Sequence, residues 1–326
     1  MRILTNMAFR QSPTWMRATD SLYDLAADDD PHFLPWWREV LLLWRRAPAY
    51  DVVVTMGVRE SMGYGLLCTL TLRPEKQIMC EVFIDAPSRS PAWFLKNALY
   101  GFVARRALGL LTNSTAEVES VARRYRLDPG RIRYVPLNCD IEHPRLESAD
   151  DGYVLCAGRT LRDYKTLVEA ARADDLPWTV VCGKNDLHGV VLPPNLRLLR
   201  EVSRSRYLEM LRKARMVALP LLPAERATGQ VVMMEAMAMG KPVVTTRAPG
   251  TIDTIRDGEN GLLVNPSDPT ALSDAVRQLW NDPELRRRLG EAAVRTMVEE
   301  ASAERHAQLK LEAIRELVDR GSWGVG

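Results

Sequence analysis

Residues 220–264 read PLLPAERATGQVVMMEAMAMGKPVVTTRAPGTIDTIRDGENGLLV. This stretch decides the fold because it contains a complete loop, helix and strand. The loop ends in Thr228-Gly229-Gln230, the apolar run VVMMEAMAM follows at helix length, Gly240 stops it, and Pro242 opens a β-branched strand. Glycine just past a helix, with proline just beyond, is helix-stop chemistry. Thr228 and Gly229 let backbone approach a ligand closely. A fresh helix N-terminus offers N–H donors and a positive dipole end, which suits phosphate. Glu235, on an otherwise apolar helix, reads in two ways: a carboxylate accepting hydrogen bonds from ribose hydroxyls, or a glutamate favoured by the helix dipole.

Outward from this unit, short apolar runs alternate with helix-length segments along the whole chain. Residues 1–4, 51–55, 77–83, 108–111 and 133–136 read as strands in the first half. In the second half, 153–157, 178–182, 196–199, 216–219, 242–245 and 261–264 do the same. Runs such as VVV and VLCA are apolar throughout, as strands buried on both faces must be. Segments 114–125, 167–172, 205–214 and 269–281 read as helices. Such alternation implies an α/β protein with parallel sheets and right-handed crossovers. A domain break is expected in the polar, acidic stretch 146–152, which divides the chain into domains 1–148 and 149–305. The tail 282–318 is helical in pattern but too long for one capped helix. Its last part, 306–326, is expected to pack back on the first domain.

Composition bounds the function. The 326 residues are about two domains long at roughly 150 residues each. With 44 Lys+Arg against 42 Asp+Glu, there is no basic excess to bind a nucleic-acid backbone. No apolar run approaches about 18 residues, so no membrane-spanning helix is expected, and the N-terminus lacks a signal-peptide pattern. Five scattered cysteines without CxxC spacing suit a reducing cytoplasm, and neither they nor the four histidines form a metal motif. The expectation is a cytoplasmic protein with no metal site.

The stretch LPAERATGQVVMMEAMAMGKPVV resembles the donor-binding signature of glycosyltransferase family 4, retaining enzymes of the GT-B fold. LLTNSTAEVESVARRYRLDPGRIRYVPLNCD resembles the end of that family's first domain, and VLCAGRTLRDYKTLVEA the strand, loop and helix that open its donor domain. NLRLLREVSRSRYLEMLRKARMVALP and DGENGLLVNPSDPTALSDAVRQLWNDP continue the order, so the likeness runs from about residue 110 to the end. It implies two Rossmann-like parallel-sheet domains facing a central cleft, and transfer of a sugar from a nucleoside-diphosphate sugar to a lipid-linked or glycan acceptor. Retention of configuration is implied too, with no cofactor and no metal. Arg159 takes the place of a phosphate clamp, with Arg162 or Lys165 as the second cation, depending on which end the alignment is counted from. A leaving diphosphate gains charge in the transition state and needs such fixed cations. Thr228, Gly229 and Gln230 correspond to the phosphate-binding helix start, Glu235 to the ribose ligand, and Val202 to the backbone that holds the base.

Two departures stand out. The family carries a Glu–x7–Glu pair, and eight residues before Glu235 stands Ala227; Glu225, two residues earlier, is the candidate substitute. The family's histidine after an N-domain strand is also missing. The comparable segment QIMCEVFID offers Glu81 and Asp85 instead, Glu81 being the catalytic candidate. His32 reads as a surface or packing residue.

The first half is rich in tryptophan: Trp15, Trp36, Trp37, Trp44 and Trp93. Between Asp85 and Glu117 there is no acidic residue, while Arg89, Lys96, Arg105 and Arg106 occur. Phe94/Leu95, Ala98/Leu99 and Phe102/Val103 recur every four residues. A Trp-flanked helix with a basic rim can lie on an anionic bilayer, which favours peripheral attachment to the inner membrane face over packing on the sheet. Two rival functions remain: a nucleotide-sugar epimerase of the same fold, and a non-catalytic or partner-dependent nucleotide-binding protein.

Overall fold

In the computed structural model the chain divides into two units, Met1–Pro136 with Ala303–Gly326, and Leu137–Ser302. Residues 1–7, 9, 11–23, 34–80, 82 and 88–321 are those the structure describes. Glu81, Asp85 and His32 therefore lie outside the described residues.

Unit 1 carries strands β1 (Ile3–Thr5), β2 (Thr19–Ser21), β3 (Val52–Met56), β4 (Gln77–Cys80), β5 (Gly109–Thr112) and β6 (Ile132–Tyr134). They form one parallel sheet in the order β2-β1-β3-β4-β5-β6. Helices α1 (Pro13–Ala18), α2 (Trp36–Arg46), α3 (Val58–Leu70), α4 (Pro91–Arg106) and α5 (Thr115–Tyr125) connect them. In unit 2 the strands are β7 (Val154–Ala157), β8 (Trp178–Cys182), β9 (Leu196–Arg200), β10 (Met216–Leu219), β11 (Val243–Thr246) and β12 (Leu262–Val264). Its helices are α6 (Tyr164–Arg172), α7 (Arg204–Lys213), α8 (Gln230–Ala238), α9 (Pro269–Asn281) and α10 (Pro283–Glu300), after which α11 (Ala303–Gly321) returns to unit 1. The second sheet is also parallel, ordered β12-β11-β10-β7-β8-β9.

Both sheets are covered on both faces, which is why their strands read as unbroken apolar runs. In β3, Val52 and Val54 pack with Trp15 and the α11 residues Leu311, Ile314 and Leu317, while Val53 turns to Leu43, Tyr64 and Cys68. Successive strand side chains point to opposite faces, so three valines in a row serve two cores. In unit 2, Leu155 and Val217 meet α7 and α8, whereas Val154, Cys156, Met216 and Ala218 meet α6 and α9.

Two sequence readings are corrected. The units part at Leu137, not near 149, because residues 137–152 are tied to unit 2 by backbone bonds: Cys139 N to Ala301 O (2.9 Å), Arg145 N to Ala238 O (2.8 Å) and Asp151 N to Lys213 O (2.8 Å). A polar stretch without periodicity looks like a linker, yet here its N–H groups bond to the carbonyl ends of α7, α8 and α10. The helical tail breaks at Ala301-Ser302, so the returning helix begins at Ala303 and not at 306. The strand expected over 77–83 is described at Gln77–Cys80, and residues 81 and 83 lie outside the described residues. The structure also adds β2, a three-residue edge strand of polar TDS that no apolar pattern could announce.

Candidate active site

Unit 2 builds its sheet outward from β7, with β8 and β9 to one side and β10, β11 and β12 to the other. The loops leaving the C-terminal ends of β7 and β10 diverge at this switch point. Open parallel sheets bind their ligands in such a crevice.

The two loops are tied to each other. Leu222 N donates to Leu161 O (2.9 Å), Asp163 N to Pro220 O (3.0 Å), and Thr228 Oγ1 to Thr160 O (3.3 Å). Arg162 supports the first loop from inside. It is 8% exposed; its Nε donates to Ala157 O (2.9 Å) and its Nη1 to Thr160 O (2.8 Å). Burial lowers its pKa from the usual arginine value. Gly158, at φ +132°, leaves room for that guanidinium, which would lie 2.2 Å from an added Cβ. The structure thus commits Arg162 to backbone carbonyls, whereas Lys165 stands exposed in the first turn of α6. Arg159 is exposed and pairs with the equally open Glu201 at 3.2 Å, a contact worth little in water.

Helix α8 starts from Gly229, in the left-handed region at φ +80°, a cap residue with no side chain of its own to offer. An added Cβ at Gly229 would sit 3.0 Å from the end of the Leu221 side chain, a tight contact that a small shift relieves, so the backbone angle is what favours glycine. Glu225 is exposed on the preceding loop, while Ala227 packs beside Gly250. Thr228 and Gln230 are buried and Val202 half-buried.

A pocket of about 270 Å³ lies at the ends of β7, β8 and β9. Gly158, Arg159, Cys182, Val202, Arg204 and Tyr207 contribute to its walls. Behind it Glu235 is 1% exposed. Its carboxylate accepts from Arg204 Nη2 on one oxygen and from Tyr207 OH (2.8 Å) on the other. A buried carboxylate needs such partners, since an unpaired one costs several kcal/mol. The bond to Glu235, and the charges of Glu235 and Asp140, raise the Arg204 pKa. Burial, then the Glu235 charge, keeps the Tyr207 hydroxyl protonated and donating.

The structure therefore brings Arg159, Val202 and α8 with Glu235 around one crevice, and turns Arg162 inward. Arg204 and Tyr207 went unread in the sequence. The available signal was SRSRYLEM directly after Val202, where Arg and Tyr three apart share a face of the helix. Among the described residues, no group of three or more His, Cys, Asp or Glu side chains converges to hold a metal ion.

Residues 140–296 match the family model described as glycosyl transferases group 1. D-inositol 3-phosphate glycosyltransferase of Corynebacterium urealyticum is 32% identical over 216 residues, 56% of this chain and 51% of the relative. N-acetyl-alpha-D-glucosaminyl L-malate synthase of Bacillus anthracis is 37% identical over 87 residues, 27% of this chain and 23% of the relative. The chain spans about half the length, or less, of these curated relatives. Among solved structures, Anabaena Alr3699/HepE in complex with UDP aligns with a TM-score of 0.72 at 14% identity, covering 96% of this chain and 99% of that one. Sucrose-phosphate synthase from Thermosynechococcus elongatus gives 0.69 at 18% identity, covering 93% and 84%. The architecture is the α/β GT-B fold, and the likeness to glycosyl transferases group 1 lies over residues 140–296.

Proposed function

We propose that the chain takes a nucleoside-diphosphate sugar into the unit 2 crevice and transfers the sugar, with retention, to a lipid-linked or glycan acceptor. The observation that carries this reading is the meeting of a buried, oriented carboxylate, Glu235, with the glycine-led N-terminus of α8 at the switch point. Glu235 binds the ribose hydroxyls, Val202 backs the base, and Thr228, Gly229 and Gln230 receive the diphosphate. Arg159 and Lys165 supply positive charge as the leaving diphosphate gains negative charge, so neither a metal nor a cofactor is required. Glu225 takes the role of the family's first glutamate toward the sugar, and Glu81 remains the acceptor-side candidate. The test is incubation of purified protein with UDP-, GDP-, ADP- and TDP-sugars plus lipid-linked acceptors, in EDTA. One donor should be consumed and an α-linked product formed from an α-linked donor. A product of inverted configuration, or transfer only with added metal, would overturn the mechanism.

Ala227 beside Gly250, where the family has a glutamate, favours one second reading: a nucleotide-binding protein that turns over only with a partner. Epimerised donor formed without acceptor would instead favour the epimerase.

We further propose that unit 1 docks on anionic membrane in the cytoplasm. Helix α4 divides its apolar residues: Tyr100, Val103 and Ala104 are buried, while Phe94 (59% exposed), Leu95 (63%) and Phe102 (36%) face outward. Trp36 and Trp37 at the start of α2 are also exposed, with Arg38, Arg59, Arg89 and Lys96 among the exposed cations. Arg105 and Arg106 have internal duties, bonding Tyr125 O (3.2 Å) and pairing with Glu75 (3.3 Å). The informative variant is therefore Phe94→Ser with Leu95→Ser, which should abolish salt-sensitive binding to phosphatidylglycerol vesicles and spare nucleotide binding. Wild-type protein that ignores such vesicles at low salt would refute the docking.

A further inference from the structure

Glu235 is the one charged residue of an otherwise apolar helix, and both of its bonds come from a different helix. Arg204 and Tyr207 stand three residues apart at the start of α7, hence on one face. Tyr207 is buried at 8% and reaches the carboxylate from within the core, whereas the Arg204 side chain is half exposed in the pocket wall. An ionised carboxylate has about four acceptor positions. Two are filled by α7, which fixes the plane of the group.

We infer that Arg204 and Tyr207 are positioning residues that hold the Glu235 carboxylate oriented to accept the two hydroxyls of a ribose, so that α7 sets the preference for a ribonucleotide. This rests on the nucleotide-binding reading of the crevice. Two physical consequences separate it from a purely structural role. A fork that only stabilised the fold would change affinity for every ligand of the pocket alike. One that orients the diol acceptor changes affinity only for ligands that have the diol. Lysine at position 204 would keep the charge but lose the planar guanidinium geometry, and so should restore the effect only in part.

The experiment is calorimetric titration of UDP and 2′,3′-dideoxy-UDP, with the guanine and adenine pairs run in parallel, into wild type, Arg204→Gln, Arg204→Lys and Tyr207→Phe. Wild type should prefer the ribo form by about tenfold or more, the usual worth of hydrogen bonds to a charged group. Arg204→Gln and Tyr207→Phe should each reduce that ratio several-fold while affinity for the dideoxy form stays nearly constant, with Arg204→Lys in between. Urea unfolding of each variant checks that the fold persists. An unchanged ratio, or an equal loss for both forms, overturns the positioning role while leaving the nucleotide reading intact. A wild type that binds neither form, or both equally, overturns the two together.

Discussion

Glu75 offers a quantitative test of the unit 1 core. It precedes β4 with a side chain only 2% exposed, and among the described residues it pairs with Arg106 Nε at 3.3 Å. Among the described residues neither carboxylate oxygen accepts a hydrogen bond, and Gly65 of α3 lies beside it. Burial pushes its pKa up from 4.5 to about 7, more than the charges of Arg106 and Arg131 pull it down. The folded chain therefore holds a proton that the unfolded chain releases between pH 4.5 and 7. Stability must fall as pH rises through that window, in total by about 3 kcal/mol at 1.36 kcal/mol per pH unit. Glu75→Gln, an uncharged isostere, removes this slope. It should match wild type below pH 4.5 and exceed it by about 3 kcal/mol above pH 7, or roughly 6–12 °C in melting temperature for a body of this size.

His306 complicates the raw curve. It is 3% exposed, bonds Pro136 O through Nδ1 (2.6 Å), and burial beside Lys310 lowers its pKa to about 3. Its folded form resists protonation, so it costs stability as pH falls from 6.5 toward 3, opposite to Glu75. Wild-type stability should look flat between pH 4.5 and 6.5, and the Glu75→Gln variant should expose the histidine slope. The readout is the difference between the two proteins in urea unfolding at pH 4.5, 6 and 8. Parallel curves over that range would refute the burial argument for Glu75.

Other outcomes follow from named contacts. His306→Leu should turn the flat wild-type stretch between pH 4.5 and 6.5 into a fall in stability with rising pH, the Glu75 slope alone, read by the same urea unfolding. Arg162→Ala should destabilise unit 2 by about 2–4 kcal/mol, because bonds from a buried charge to two carbonyls are lost, whereas exposed Lys165→Ala should stay within about 0.5 kcal/mol and lower turnover instead. Equal unfolding midpoints for these two variants would contradict the inward placement of Arg162. Gly229→Ala should cost about 1–2 kcal/mol from the left-handed backbone alone, read by urea unfolding, and should weaken diphosphate binding as the helix start shifts.

The sequence pattern was most legible where chemistry is local. Runs 178–182, 216–219 and 269–281 coincide with β8, β10 and α9, because apolar runs bounded by turn residues and an Asp-Pro helix start leave few alternatives. The Thr228-Gly229 entry to α8 was readable for the same reason. What escaped depends on distant partners. Residues 137–152 gain their structure from carbonyls of other elements, and β2 exists through its pairing with β1. Whether Arg162 or Lys165 points outward is decided by the carbonyls of Ala157 and Thr160. The alliance of Glu235 with Arg204 and Tyr207 spans about thirty residues and two helices, beyond any motif. Helix α4 shows a further limit: a four-residue apolar repeat does not reveal that Val103 faces the core while Phe94 and Phe102 face out.

The central claim is that the crevice of unit 2 binds a nucleoside diphosphate through Glu235. Its most direct test is titration of UDP, GDP, ADP and TDP into wild type and Glu235→Gln, with circular dichroism to confirm that both are folded. One diphosphate should bind the wild type, raising its melting temperature by mass action, and the variant should lose about tenfold or more in affinity. Binding of none of the four, or equal affinity in the folded variant, would contradict the claim.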